Sequence, residues 1–212
     1  MLNEELARAI LVGDGRTPGA SDKIPEENIK PVWTDTEVYT THVVVDETLT
    51  GEPRVKAFID AVIRSRKEYK GSGAPTLYIG TDLLTDMRLM RNQLGERLYK
   101  NDQELSDELR VSKIVEIELL DGLTRTTDAG NFTFGALIVN LNDYNVGATK
   151  GGEVTLFDDF DLNFNKYEYL IETRCSGALI LPKSAIAVEF GAVESSSNTE
   201  DSNTEVTDPD NG

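Results

Sequence analysis

The sequence is poor in the residues that most enzymes and extracellular scaffolds depend on. Among 212 residues there is one cysteine, one histidine and one tryptophan. Cys175 alone cannot close an intrachain disulfide, and it excludes multi-cysteine zinc sites. His42 alone means that any histidine-based dyad or metal centre must run through that residue. No apolar run comes near the roughly 18 residues that a membrane span requires. Positive charge is scarce, with 21 Lys and Arg against 38 Asp and Glu and a net charge of -17. Duplex binding needs a basic footprint to neutralise phosphates, so sequence-specific nucleic-acid binding is not expected. Met1-Leu2-Asn3-Glu4-Glu5 is acidic, unlike the basic-then-apolar start of a secretory signal. The expected compartment is the cytosol, or a particle assembled there.

What is present is an ordinary globular composition. Apolar residues make up 39% of the chain, enough for one large domain or two small ones around a shared core. Leu2 to Val12 keeps helical spacing and stops at Gly13-Asp14-Gly15. No clear cap opens this helix, so a native helix extending upstream is expected. Residues 16–36 read as a loop carrying Pro18, Pro25 and Pro31, and Val38 to Asp46 as a strand. A turn at Thr50-Gly51-Glu52-Pro53 precedes the clearest amphipathic pattern: Val55, Phe58, Ile59, Val62 and Ile63. That helix, 55–69, is expected to end by Gly71-Ser72-Gly73.

Thr76 to Gly80 reads as a strand, and Thr81 as the cap of a helix with Leu83, Leu84, Met87 and Met90 on one face. A short helix at Asp102 to Leu109 leads to strands at Lys113 to Leu120 and Phe132 to Leu141. Glu153 to Phe157, Asp161 to Ser176 and Ala185 to Phe190 complete a strand-rich last third. Within 161–176 the apolar parity changes from Leu162 and Phe164 to Tyr167, Tyr169 and Ile171, so a bulge is expected near Asn165-Lys166. Residues 192–212 carry Glu194, Glu200, Asp201, Glu205, Asp208 and Asp210 with no Lys or Arg, and read as a disordered acidic tail.

The search for chemistry is nearly empty. Gly13-Asp14-Gly15-Arg16 follows a helix, whereas a dinucleotide loop must follow a strand, so it reads as a helix stop. Gly147-Ala148-Thr149-Lys150-Gly151-Gly152 lacks the Gly-Lys-Ser/Thr ending of a phosphate loop and reads as a connection. Asp158, Asp159 and Asp161 have only part of a calcium loop's spacing and read as a solvated turn. His42 has no nucleophile elbow to serve and reads as structural or superficial. Cys175 reads as a half-buried packing residue. Phe157, Phe160, Phe164, Tyr167 and Tyr169 lack interleaved basic residues, so core or subunit contact is favoured over base stacking. No residue is assigned a catalytic, cofactor-binding or metal-binding role.

The order of segments nevertheless resembles major capsid proteins of tailed phages of the Hong Kong 97 type. Over Leu2 to Glu189 the resemblance rests on the helix end at Gly13-Asp14-Gly15, helix 55–69, strand 76–80 and helix 82–91 with Leu89 to Tyr99. It continues through Gly152 to Asp161, Ile171-Glu172-Thr173-Arg174 and Pro182-Lys183-Ser184-Ala185-Ile186. It implies an α+β capsid fold with P-domain-like parts at 1–70 and 143–182 and A-domain-like parts at 71–142 and 183–191. It also implies a non-enzymatic shell protein forming pentamers and hexamers of an icosahedral shell around double-stranded DNA. The expected location is the virion, with assembly in the host bacterial cytoplasm. Scaffold and portal proteins are the implied partners.

The family's N-terminal arm, E-loop and most of its spine helix have no counterpart in these residues, so poor assembly or a monomer is expected of the chain alone. Some relatives crosslink an E-loop Lys to a neighbour's Asn. Asn165 lies in a comparable region, but with no Lys-bearing loop it is assigned no such role. An acidic wall would keep packed DNA from adhering. Two other readings stand beside this one: another phage head or encapsulin-like shell protein, and an acidic α/β enzyme built on His42 or Asp158 to Asp161.

Overall fold

A computed structural model describes residues 2–16, 20–21, 24, 27–148, 155–161, 165–172 and 175–192. The chain begins with helix α1 (Leu2–Leu11), followed by a long loop, strand β1 (Thr40–Asp46) and helix α2 (Gly51–Ser65). Strand β2 (Thr76–Ile79), helices α3 (Thr81–Leu89) and α4 (Asp102–Glu108) and strand β3 (Lys113–Glu116) come next. Strands β4 (Thr124–Thr127), β5 (Gly130–Val139), β6 (Tyr144–Ala148), β7 (Thr155–Asp161), β8 (Lys166–Glu172), β9 (Cys175–Leu179) and β10 (Ala185–Gly191) complete the described order.

The centre is a six-stranded mixed sheet in the order β1-β10-β5-β2-β3, with β4 beside the first half of β5. Both faces of β10 are buried, which is why its sequence is a continuous apolar run broken only by Glu189. On one face Val55, Phe58, Ile59 and Val62 of α2 pack with Leu84, Met87, Leu105 and Leu109 against Ile138, Ile186, Val188 and Phe190. On the other, Leu11 of α1 joins Val32, Trp33, Phe134, Leu137, Tyr144 and Ala187. Each large side chain sealed this way contributes about 1.5–3 kcal/mol of transfer free energy.

The register between β5 and β10 slips once. Ala136 pairs with Val188, but Phe134 pairs with Glu189, so Gly135 is the extra residue of a β-bulge. A Cβ at Gly135 would lie 2.7 Å from the Val188 carbonyl oxygen, which only glycine avoids. The slip turns Phe134 away from the face used by Ala136 and Ile138 and onto Trp33, with ring centroids 5.2 Å apart.

Several expectations change. Helix α2 starts at Gly51, because proline in a first helical turn lacks only an N–H that has no intrahelical acceptor anyway. It stops at Ser65, several residues before the glycines. Thr81 does not cap α3; Gly80 holds that position, and the Asp121 carboxylate accepts from the Thr81 amide at 2.8 Å. The strand from Lys113 ends at Glu116 and turns into a 3-10 helix at Glu118–Leu120. The parity change in 161–176 marks a chain reversal, with Asn165 at φ 49 between antiparallel β7 and β8. Asp158, Asp159 and Asp161 therefore lie on strand β7 and not on a turn. The acidic tail from residue 193 onward, residues 149–152 of the glycine-rich connection and residues 162–164 lie outside the described residues. The central sheet draws β1 from the part expected to be P-like and its other strands from the parts expected to be A-like.

Candidate functional site

Among the described residues, buried polar side chains gather within the sheet where β1, β4, β10 and the loop before β1 meet. Glu189 projects from β10 onto the Trp33 face, and its side chain is wholly buried. Arg125, on β4, grips it with both arms: Nε donates to Oε1 at 2.7 Å and Nη2 to Oε2 at 2.8 Å. The Trp33 indole N–H also donates to Oε1. His42, on β1, places Nδ1 3.6 Å from Oε1 and 3.0 Å from Arg125 Nη2, while Nε2 faces the Asp35 carbonyl oxygen at 3.1 Å.

The register explains the convergence. His42 pairs with Ala187 and Val44 with Glu189, which puts His42 and Glu189 on one face of the sheet. Burial pushes the Glu189 carboxyl up, but the bonds and charges of His42 and Arg125 outweigh it and hold the group below the usual glutamate range. A two-armed guanidinium–carboxylate pair is the strong form of ion pairing, and here it is enclosed by Trp33 and stacked near Phe132, 5.5 Å from the guanidinium carbon.

A second polar lock joins distant segments. The buried Asp143 carboxylate accepts from the Ser72 amide at 2.7 Å and from its hydroxyl, and Asn140 donates to the Ser72 carbonyl at 2.7 Å. Together these bonds fasten the glycine-rich loop before β2 to the short helix before β6. Burial, and after it Asp143, pushes the neighbouring Tyr69 hydroxyl up to about 12.

The sequence candidates are scattered. His42 belongs to the buried network. Cys175 opens β9 and is half-buried. Asp158 is exposed on β7. Gly13 and Gly15 adopt positive φ beyond α1, as a helix stop requires, and the Asp14 carboxylate is bound by the amides of Arg16 and Ile24. Phe160, Tyr167 and Tyr169 form an aromatic face on the β7–β8 hairpin, with Tyr167 4.9 Å from Phe160 and 6.4 Å from Tyr169. A tight turn at 91–97 is held by Asn92, whose side-chain oxygen accepts from the Leu94 and Glu96 amides; it presents Leu94 at 85% exposure. No group of three or more metal-ligating side chains gathers among the described residues. No helix among them is long and apolar enough to cross a membrane.

The sequence reading missed the Arg125–Glu189 pair. The signal was there: one acid in the apolar run Ala185 to Phe190 requires a partner. Nothing in the sequence says that the partner is Arg125, 64 residues upstream.

This arrangement of a two-sided central sheet and separate β ribbons is an α+β capsid-type fold. The capsid protein of an empty GTA particle superposes with a TM-score of 0.54 at 13% identity, over 90% of this chain and 70% of that one. The capsid protein of the native GTA particle gives 0.53 at 13% identity, over 90% of this chain and 63% of that one. A virus-like particle from Pyrococcus furiosus gives 0.49 at 11% identity over 77% of this chain. The chain spans 61% of that subunit's length and 60% of the Gordonia phage Cozz structure. No family model and no curated protein matches the sequence.

Proposed function

We propose that the chain is a structural subunit of a phage-type capsid, that it associates with further copies into a closed shell, and that it is not an enzyme. The observation that carries this reading is the fold shared with the GTA capsid proteins across 90% of the chain. The polar cluster supports it: Glu189 is sealed and saturated with donors, which suits a structural pin and leaves no room for a substrate beside the carboxylate.

Pentamers and hexamers, enclosure of double-stranded DNA, a place in the virion after assembly in the bacterial cytoplasm, and contact with scaffold or portal proteins belong to the same proposal. So does a division into P-like and A-like parts, which would meet along the β1–β10 pairing. The apolar tip at Leu94 and the aromatic face of the β7–β8 hairpin are the surfaces proposed to meet neighbouring subunits. Apolar groups gathered on a surface mark contact sites.

Sedimentation velocity of the product of the complete reading frame that contains these residues tests the reading. Particles of many copies are expected. A compact monomer at every concentration and ionic strength would overturn it.

A further inference from the structure

Leu94 crowns a basic knob. Its turn is held by the Asn92 side chain and by a bridge between Arg91 and Arg97, and the Leu98 amide donates to the Met90 carbonyl at 2.9 Å. Met90 is buried beneath it, so the turn is fastened to the core. Leu94, at 85% exposure, and the exposed Leu98 gain little by folding there. Around them stand Arg91, Arg97 and Lys100, all exposed. Glu96, the turn's own acid, takes a bond from Asn92 Nδ2 at 3.3 Å. No carboxylate among the described residues forms an ion pair with Arg91, Arg97 or Lys100, whereas the nearby Arg88 is paired with both Asp102 and Glu116. Three such cations around an exposed leucine run against the chain's net charge of -17.

A surface of the opposite sign lies elsewhere. Helix α1 and the 3-10 helix at Glu118–Leu120 border a groove of about 460 Å³, walled by Leu11, Val12, Ile117 and Leu119. Leu119 is itself exposed. Glu4 and Glu5 stand on the rim, and the exposed Glu118 lies next to it. Arg8 also lines the groove, but its guanidinium leans towards Gly15, where a Cβ would lie 3.0 Å from Arg8 Cζ. Leu11 and Leu120 belong to the Trp33 side of the sheet, whereas Met90 and Tyr99 belong to the α2 side. Knob and groove therefore occupy opposite sides. With the knob fastened to the core, a chain cannot fill its own groove.

We infer, on the shell reading above, that Leu94 of one copy seats in the α1 groove of a second copy, with Arg91 and Arg97 facing Glu5 and Glu118. Apolar meets apolar, and cations meet acids. Two different patches on one chain make a head-to-tail contact, which closes into a ring when its rotation divides a full turn. The leucine supplies most of the affinity, because exposed ion pairs are individually weak. The charges set the register. They also disfavour knob against knob, where like charges would meet.

The test places the photo-crosslinker p-benzoylphenylalanine at Leu94 in the product of the complete reading frame that contains these residues. That chain is assembled with an equal amount of isotope-labelled native chain, irradiated and digested, so that a labelled partner peptide marks contact between copies. The expected partner peptides carry residues 4–12 or 117–120. Arg91→Glu with Arg97→Glu in the crosslinker chain should lower their yield by about tenfold, and Glu5→Arg with Glu118→Arg in the labelled chain should restore it. Urea midpoints check that these exposed changes leave the fold intact, and the crosslink with native charges stands without them. Particles that form while Leu94 crosslinks to other segments, or to none, overturn the inference and leave the shell reading in place. A yield indifferent to the charge reversals overturns it as well. A native product that stays monomeric overturns the shell reading, and the inference with it.

Discussion

Arg125 and Glu189 meet through two parallel hydrogen bonds, Nε to Oε1 at 2.7 Å and Nη2 to Oε2 at 2.8 Å, on a carboxylate that is closed to solvent. The pair joins the short edge strand β4 to the buried strand β10. Removing one partner of such a pair leaves the other charge buried without compensation. Arg125→Met is therefore expected to destabilise the fold by about 3–5 kcal/mol, whereas Arg125→Met combined with Glu189→Leu should recover much of the loss. Urea denaturation of the single and double variants measures both values.

The same pair sets the acid limit of stability. Glu189 is held below its ordinary range in the folded chain, so its contribution is present above the unfolded carboxylate pKa of about 4.3 and is lost as the pH falls through the lower folded value. Glu189→Gln should lack this arm of the acid transition. Thermal unfolding followed from neutral pH to about pH 3 checks it.

Gly135 has no substitute at the bulge. Alanine there would drive its Cβ to 2.7 Å from the Val188 carbonyl, a contact with backbone that cannot rotate away. Gly135→Ala is expected to cost about 1–3 kcal/mol and to disturb the Trp33–Phe134 contact. Tryptophan fluorescence, arising from Trp33 alone, reads the second effect.

Asp121 caps helix α3 from 40 residues downstream, reaching the Thr81 amide at 2.8 Å and the Asp82 amide at 3.4 Å. Asp121→Ala should cost about 1 kcal/mol and speed exchange in the first turn of α3. Thr81→Ala should cost less, because its side chain is not the cap. Comparing the two denaturation midpoints settles the assignment.

The proposed contact surfaces separate stability from assembly. Leu94→Asp at the turn and Tyr167→Ser on the hairpin replace exposed groups, so each should change stability by about 0.5 kcal/mol or less. Under the shell reading both should lower the yield of large particles. Size-exclusion chromatography beside a denaturation curve distinguishes the two effects.

Local patterns were legible in the sequence wherever one face of an element meets the core. Val55, Phe58, Ile59 and Val62 mark α2 because their spacing is helical and every one of them is buried. The segment order carried the α+β capsid fold. What was not legible depends on contacts between distant residues. The cap on α3 comes from Asp121, and the partner of Glu189 comes from β4. A change of apolar parity has two causes, a bulge or a reversal. At Asn165 it was a reversal, while the bulge lay at Gly135, where glycine gave no parity signal. The Ser72–Asp143 lock was hidden for the same reason, since a buried aspartate looks in sequence like any loop acid.

Negative-stain electron microscopy of the product of the complete reading frame that contains these residues tests the central claim most directly. Closed, uniform shells are the predicted result. A field of compact single subunits, unchanged across concentration and salt, would contradict the account of this chain as a shell-building protein.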